Sequence, residues 1–511
     1  MRSFLFLLLF LLLAIHSVAA NPSLNALYST LDPTSVSQHF AFYALYPNTQ
    51  EGRAALQHAW SLLSGSSTGS DSEIPLPVLN TQSILSLIHR NHYEDAPLLC
   101  GEQLTVMDQL SKHLMNRKLQ GYGLWDQEAI LRLPSQEIDL GRTLLIAELG
   151  PDEKQKIQSY EATLDLMALQ ILARLKVDAT PLEKIRAIND YIFSEMRFRF
   201  PPHSLYAKEI DVYTFLPSVL DNRRGVCLGV SILYLCLAQR IDLPLQAITP
   251  PGHIYLRYID PDGNHTNIET TARGIDVPTE HYQGVAAQTL QERSIAECVG
   301  LAFMNQAAVS WHQGDIQTAI TLYEKAHPFL KDDYLLNLFL GFNYLFSGQD
   351  KKGKAMLRNI QGKSPEHVRI MDTIVEDYLE KRVDIEGIQA VFAEVDETRD
   401  SILKKQKRLE DTLVHHPRFR QGLFHLAVTW MQLGREKEAL LYLATYAKSC
   451  PTDPTANYYL AAIHLQRHNF NQAWKYLRAA EKVVCQKNYT PKALVELRRS
   501  LQRQCPERNN L

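Results

Sequence analysis

One cysteine and one histidine stand at the starts of two consecutive predicted elements. Cys227 begins an apolar helix, and His253 begins the strand that follows. A thiol and an imidazole on adjacent rigid elements can perform nucleophilic catalysis, in which the imidazole takes the thiol proton and the thiolate attacks an acyl carbon. Free backbone amides and the helix dipole favour a thiolate in a first turn, and Arg223 and Arg224 add positive charge just upstream. The pair is therefore a candidate site for acyl transfer.

A structural role is the alternative interpretation of Cys227. Free cysteines are among the residues most often buried, and Cys236, deeper in the same apolar helix, is predicted to be a core residue. The two interpretations predict different surroundings. A catalytic Cys227 lies within reach of His253, whereas a structural one lies out of reach beneath apolar neighbours.

A predicted β-hairpin supplies a third group, Glu269. The segments HIYLRYID and HTNIETT alternate as strands, and the three residues between them, PDG, fit a type I turn followed by a left-handed glycine. If Asp260 pairs with Asn264, His253 pairs with Thr271, and His253 and Glu269 share one face at a diagonal of about 7 to 8 Å. A glutamate can close that distance and bond the imidazole. A two-residue loop would put the two side chains on opposite faces.

The segment LDNRRGVCLGVSILYLCLAQRIDLPLQAITPPGHIYLRY, followed by NIETT, resembles the transglutaminase-like core of the bacterial SirB branch. The TPLEKIRAINDYIF helix and LPSVL extend this resemblance to about residues 163–275. It implies a papain-like α+β core in which Cys227 is the nucleophile, His253 the general base and acid, and Glu269 the group that orients the imidazole. Relatives usually carry Asp at the third position, so Asp260 is the second candidate for it.

The resemblance implies acyl transfer through a thioester. Backbone amides at Cys227 and Leu228 would stabilise the oxyanion, and either water or an amine would release the product. No cofactor and no metal are expected. His89, His92 and Cys100 lie close in sequence, but they fit helix or loop surfaces better than a metal site.

The last region carries repeats with a 34-residue period, which is that of tetratricopeptide repeats. Units are predicted to start in two pairs, at Gly300 and Tyr334 and at Arg420 and Pro454. The two close-packing positions of each unit hold small residues, namely Ala307, Gly341, Ala427, Ala461, Ala319, Gly353, Ala439 and Ala473. Pro365 and Pro451 are predicted to stop the second helices of two units. The spacing indicates antiparallel helix pairs that stack into a solenoid.

The register between the two pairs of units is interrupted. A degenerate unit from Glu386, with Ala393 at its first small position and Lys405 at its second, and an extra helix near residues 368–378 would fill the gap. The final KALVELRRSLQRQ segment is predicted to be a capping helix.

Repeats of this kind usually bind proteins or peptides, an expectation that comes from family resemblance. One specialised form grips a C-terminal carboxylate with Lys and Asn, and that clamp is absent at Met304, Ala308, Leu338, Phe342, Phe424 and Val428. Two interpretations of the chain remain. It is either an exported cysteine enzyme whose repeats present a protein or peptide substrate, or a non-catalytic scaffold with an inactive transglutaminase-like fold.

The N-terminus has the layout of a cleavable secretory signal, with Arg2, an apolar stretch of residues 4–15, and small residues up to Ala20. That stretch is too short to span a bilayer, so we expect an exported protein without a stable membrane anchor. A net charge of -3 with 21% charged residues gives no indication of nucleic-acid binding. The expected order is a signal peptide at 1–20, a mainly helical region at 21–162 with a flexible loop at 64–77, a transglutaminase-like domain at 163–290, and a repeat domain at 291–511.

Overall fold

The computed structural model describes residues 22–65, 98–99, 101–201, 211–285, 289–363, 373–396, 398–486 and 489–506. The predictions for the signal peptide, His89, His92, Cys100, Pro365 and nearly all of the 64–77 loop concern positions outside these ranges. The described residues are mostly helical, with one small antiparallel sheet near the middle of the chain. No helix within the described ranges is long and apolar enough to cross a membrane.

The region before the sheet is helical, as predicted. Its described helices are Pro22–Ser29 (α1), Val36–Leu45 (α2), Gln50–Ser64 (α3), Gly101–Leu110 (α4), Gln127–Leu131 (α5), Leu140–Leu149 (α6) and Lys154–Leu172 (α7). The longest, α7, packs against α3, α4 and α6, and also against the helix that begins at Cys227. The N-terminal helices thus share one hydrophobic core with the region that carries the candidate site.

Three further α-helices lie between α7 and the sheet in the described part of the chain: Pro181–Asn189 (α8), Leu216–Asn222 (α9) and Cys227–Arg240 (α10). Helix α8 starts where the sequence predicts, because Thr180 and Glu183 form a reciprocal capping box around Pro181 in the first turn. Helix α10 is apolar on nearly every face, and nearly all of its side chains are buried, as expected for a central helix.

A buried ion-pair network joins α10 to the N-terminal helices. Arg240, which is fully buried, donates from Nε to Asp165 Oδ1 on α7 at 2.7 Å, and Arg117 also donates to this carboxylate. Beside it, Arg142 bonds both oxygens of Glu161, at 2.6 and 2.8 Å. A buried charge is strongly destabilising without a partner of opposite charge, so this network constrains how α10 packs against α7.

The sheet consists of Gln246–Thr249 (β1), Tyr255–Ile259 (β2), His265–Ile268 (β3) and Gln291–Arg293 (β4), in the order β3-β2-β1-β4. Pairs such as Leu256 with Ile268 give the predicted β2–β3 register. Asp260 N donates to Asn264 O at 3.0 Å, and Gly263 adopts a φ of 84°. The hairpin therefore has the predicted three-residue loop.

The C-terminal region contains the predicted helix pairs. These are Ile295–His312 with Ile316–Ala326, Tyr334–Phe346 with Asp350–Ile360, Arg420–Gln432 with Glu436–Ser449, and Pro454–Gln466 with Phe470–Cys485. Tyr334, Arg420 and Pro454 begin their helices as predicted, but the first helix begins at Ile295 rather than near Gly300, because Ser294 and Glu297 form a capping box there. The small positions pack closely: a Cβ added to Gly353 would lie 2.6 Å from Leu345 Cδ2.

The interrupted part of the array also forms helices. Thr373–Leu379 is followed by the pair Ile385–Phe392 and Arg399–His415. The first helix of this degenerate pair ends at Phe392, so the prediction that Ala393 fills a small position inside it is wrong. Helix Lys492–Gln504 closes the array, with Leu494 and Leu501 buried against it.

Candidate active site

Cys227 is the first residue of helix α10, as the sequence predicts. The N-cap residue, Val226, makes no side-chain hydrogen bond to the first turn, so its side chain leaves the backbone amides there uncapped. Cys227 is partly exposed, whereas Cys236 is fully buried. Burial raises the pKa of the Cys236 thiol well above its ordinary value, as expected for a core cysteine.

His253 lies two residues before strand β2, in a turn where its amide donates to Pro250 O at 3.1 Å. Strand β3 ends at Ile268, and the chain then forms the short 3₁₀ helix Thr270–Ala272. The predicted pairing of His253 with Thr271 is therefore wrong. The physical reason is local, because the carboxylate of Glu269 accepts the Thr271 amide at 3.0 Å and starts the 3₁₀ turn.

Cys227, His253 and Glu269 nevertheless meet. His253 Nε2 lies 2.8 Å from Glu269 Oε2, and the Cys227 side chain is a near neighbour of the imidazole that favours its charged form. Because Nε2 faces the carboxylate, Nδ1 is the nitrogen left for the thiol. The imidazole thus stands between a thiol and a carboxylate, which is the order that the resemblance implies.

The charges of the site stabilise one another. Although burial favours the neutral imidazole, the bonds to Cys227 and Glu269 raise the pKa of His253 to about 10. Burial also opposes the charge of Glu269, but the bonds from His253, Thr271 and Tyr282 lower the pKa of this carboxyl to about 2. At neutral pH the arrangement therefore holds an imidazolium against a carboxylate.

Sequence analysis missed two residues that support the carboxylate: Tyr282, and Thr271, which it had paired with His253 instead. Thr271 donates through its amide and its hydroxyl to Glu269 Oε1, at 3.0 and 2.5 Å. Tyr282 donates its hydroxyl to Glu269 Oε2 at 2.7 Å, and its ring stacks on those of His253 and Tyr255, with centroids 5.9 and 4.1 Å apart. No spacing in the sequence predicts Tyr282, because the chain must fold back across the sheet to bring it here.

Asp260, the second candidate for the third position, is engaged elsewhere. Its carboxylate accepts from the backbone and the side chain of Asn264, at 2.7 and 2.8 Å, and these bonds lower its pKa. It belongs to the hairpin turn, while Glu269 is the acid that contacts His253. Over the part of the chain that the structure describes, no three His, Cys, Asp or Glu residues are grouped to hold a metal ion.

Comparison with known proteins supports the transglutaminase-like part of this description. Residues 158–304 match the model of the transglutaminase-like superfamily. The chain thus has a transglutaminase-like domain, followed by helical repeats like those of tetratricopeptide (TPR) proteins. No curated protein matches the chain.

Solved structures similar to the chain include two TPR proteins. A thermophilic TPR protein of Thermus thermophilus, TTC0263, is 16% identical, covers 40% of this chain and 98% of its own, and has a TM-score of 0.21. The TPR domain of P58(IPK) is 10% identical, covers 92% of this chain and 94% of its own, and has a TM-score of 0.22. These scores are low, so the repeat assignment rests on the helix pairs of this chain.

Proposed function

We propose that the protein is an exported cysteine enzyme of the SirB branch that transfers or hydrolyses acyl groups at amide or peptide bonds. The observation that carries the proposal is the imidazole of His253, bonded to Glu269 at 2.8 Å and next to the partly exposed Cys227 thiol. A scaffold with an inactive fold needs no such contact. The partial exposure of Cys227 also supports access by a substrate.

In the proposed reaction, His253 already holds the proton that Cys227 gives up, and the sulfur attacks the acyl carbon as a thiolate. Glu269 stabilises this imidazolium and keeps its ring oriented. The amides of Cys227 and Leu228, at the N-terminus of α10, stabilise the oxyanion. His253 then protonates the leaving group, and water or an amine breaks the thioester and restores the thiol.

The repeats would bind the protein or peptide that the site acts on. The first helices of the last two repeats contribute Phe424, Tyr458 and Tyr459 to a cavity of about 590 Å³, and residues 280, 281 and 283–285 line the same cavity. Aromatic walls with nearby polar groups suit an extended peptide. A peptide held there would lie next to the region that carries the candidate site.

The proposal is tested with p-nitrophenyl acetate, which acetylates a reactive thiol and releases a coloured product. We expect a burst of p-nitrophenolate and an acetyl group on Cys227, detected by peptide mass spectrometry. Cys227→Ala should abolish both signals, and His253→Ala should slow acetylation by roughly 100-fold or more, the usual contribution of a general base. Acetylation of the exposed Cys485 gives the reactivity of an ordinary thiol in the same sample.

The result that contradicts the proposal is equally clear. If Cys227 is acetylated no faster than Cys485, and if His253→Ala leaves its rate unchanged, Cys227 is a structural cysteine. Partners of the repeats would then account for the function.

A further inference from the structure

A short segment, residues 279–285, connects the candidate site to the C-terminal end of the repeats; we call it the bridging segment. Its middle residue, Tyr282, lies against the site. Its last two residues, Gly284 and Val285, offer their carbonyls to the Tyr489 hydroxyl, at 3.4 and 2.5 Å. Lys492 Nζ donates to His281 Nε2 at 2.6 Å. The same few residues thus touch both halves of the molecule.

Tyr282 constrains both charged members of the site. Its hydroxyl and His253 Nε2 bond the same oxygen of Glu269, Oε2, at 2.7 and 2.8 Å. With Thr271 bonded to the other oxygen, the carboxylate is held on both sides and cannot rotate away from the imidazole. The phenol ring, nearly parallel to the imidazole with an interplanar angle of 15°, also restricts the tilt of the His253 ring.

The bridging segment is anchored at its two ends. At the first end, Arg257 donates to Thr279 Oγ1 at 3.2 Å. At the other end, the Tyr489 hydroxyl holds the two carbonyls. The cavity of about 590 Å³ separates part of the segment from the first helices of the last two repeats, while Val285 packs with Tyr489 against the hydrophobic core of the last repeats. The position of the segment over the site is therefore set by its contacts with the site and by this contact with the end of the repeats.

We infer that Tyr282 is a positioning residue for the proposed reaction, and that the repeat domain keeps it in place through Tyr489. This inference rests on the proposed function. It means that the repeats do more than bind a partner, because their C-terminal end completes the support of the His253–Glu269 pair. The groups that face His253 are Cys227 on α10, Glu269 after β3, and Tyr282 on the bridging segment.

The experiment compares Tyr489→Phe and Tyr282→Leu with the intact full-length protein. Tyr489→Phe removes one hydroxyl that bonds the end of the bridging segment rather than the site itself. Tyr344→Phe is its matched control, because that hydroxyl bonds Glu324 within the repeats at 2.7 Å. Two quantities are measured: the rate at which iodoacetamide alkylates Cys227 at neutral pH, and the pKa of His253 from NMR of ¹³C-labelled imidazoles. His253→Ala assigns the His253 signal and tests the proposed function separately.

We expect Tyr489→Phe and Tyr282→Leu to slow alkylation by about threefold or more and to lower the pKa of His253, while Tyr344→Phe changes neither. A purely structural role for Tyr489 would change the melting temperature but not the pKa. The inference is overturned if His253→Ala slows alkylation while both tyrosine variants behave like the wild type. If His253→Ala does not change the alkylation rate of Cys227, the proposed function is wrong, and the inference that rests on it is wrong as well.

Discussion

The imidazole of His253 and the carboxylate of Glu269 meet at 2.8 Å, although a turn carries the histidine and the residue directly after strand β3 carries the carboxylate. The hairpin register brings their backbones near each other, and the 3₁₀ turn after Glu269 aims the carboxylate at the ring. This contact, with the thiol of Cys227 on the other side of the ring, is the geometric basis of the proposed chemistry.

The first prediction concerns the pH dependence of stability. The pKa of His253 is raised from 6.5 to about 10, so its contribution is complete below pH 6.5 and is lost as the pH rises through about 10. The pKa of Glu269 is lowered from 4.5 to about 2, so its contribution is complete above pH 4.5 and is lost as the pH falls through about 2. Glu269→Gln should therefore cost most stability between pH 4.5 and 6.5. Urea denaturation inside and on both sides of this window measures the difference, and a cost independent of pH would contradict the prediction.

The second prediction concerns the buried network beneath α10. Arg240→Met leaves the buried Asp165 with one cationic partner fewer, and we expect the unfolding free energy of this part of the chain to fall by about 3–5 kcal/mol. Lys407→Met is the control, because its pair with Asp411 is exposed and screened by solvent, so its loss should lower the stability far less. Thermal melting followed by circular dichroism compares the two. An equal loss of stability in the two variants would contradict the prediction, because the buried Arg240–Asp165 pair would then contribute no more than the exposed pair.

The third prediction concerns the turn inside the last repeat. His468 has a φ of 56°, in the left-handed region, where the other aligned turns carry Gly314, Gly348 and Gly434. A residue with a Cβ is strained there. His468→Gly should therefore be more stable than His468→Ala by about 1 kcal/mol, since both lose the imidazole and differ only in the cost of the turn. Melting temperatures of the two variants test this, and equal values would argue against backbone strain.

The fourth prediction concerns export. If residues 1–20 are a signal peptide, the mature chain begins at Asn21, and intact mass spectrometry of the exported protein should give the mass of residues 21–511. Leu8→Arg interrupts the apolar stretch and should keep the protein inside the producing cell. Export of this variant at the normal level would mean that the apolar stretch of residues 4–15 does not direct export of the protein.

Much of the architecture was predictable because its signals are local. The glycine of the PDG loop determines the hairpin register, and Thr180 and Glu183 mark the start of a helix. The helical repeats could be predicted because small residues recur at a 34-residue spacing where two helices touch. Boundaries set by competing local bonds were less predictable, as the capping box at Ser294 and the 3₁₀ turn after Glu269 illustrate.

Residue types and spacing were enough to predict the candidate thiol, imidazole and carboxylate, their order on helix and hairpin, and the class of the repeats. The folded chain was needed to show that Tyr282 bonds Glu269, that Tyr489 bonds the bridging segment, and that Arg240 is buried against Asp165. The two groups of features differ in the sequence separation of the residues involved. Helix caps, turns and repeat periods depend on residues within a few positions or at a regular spacing, whereas these contacts join distant residues at irregular spacing and exist only once the chain has folded.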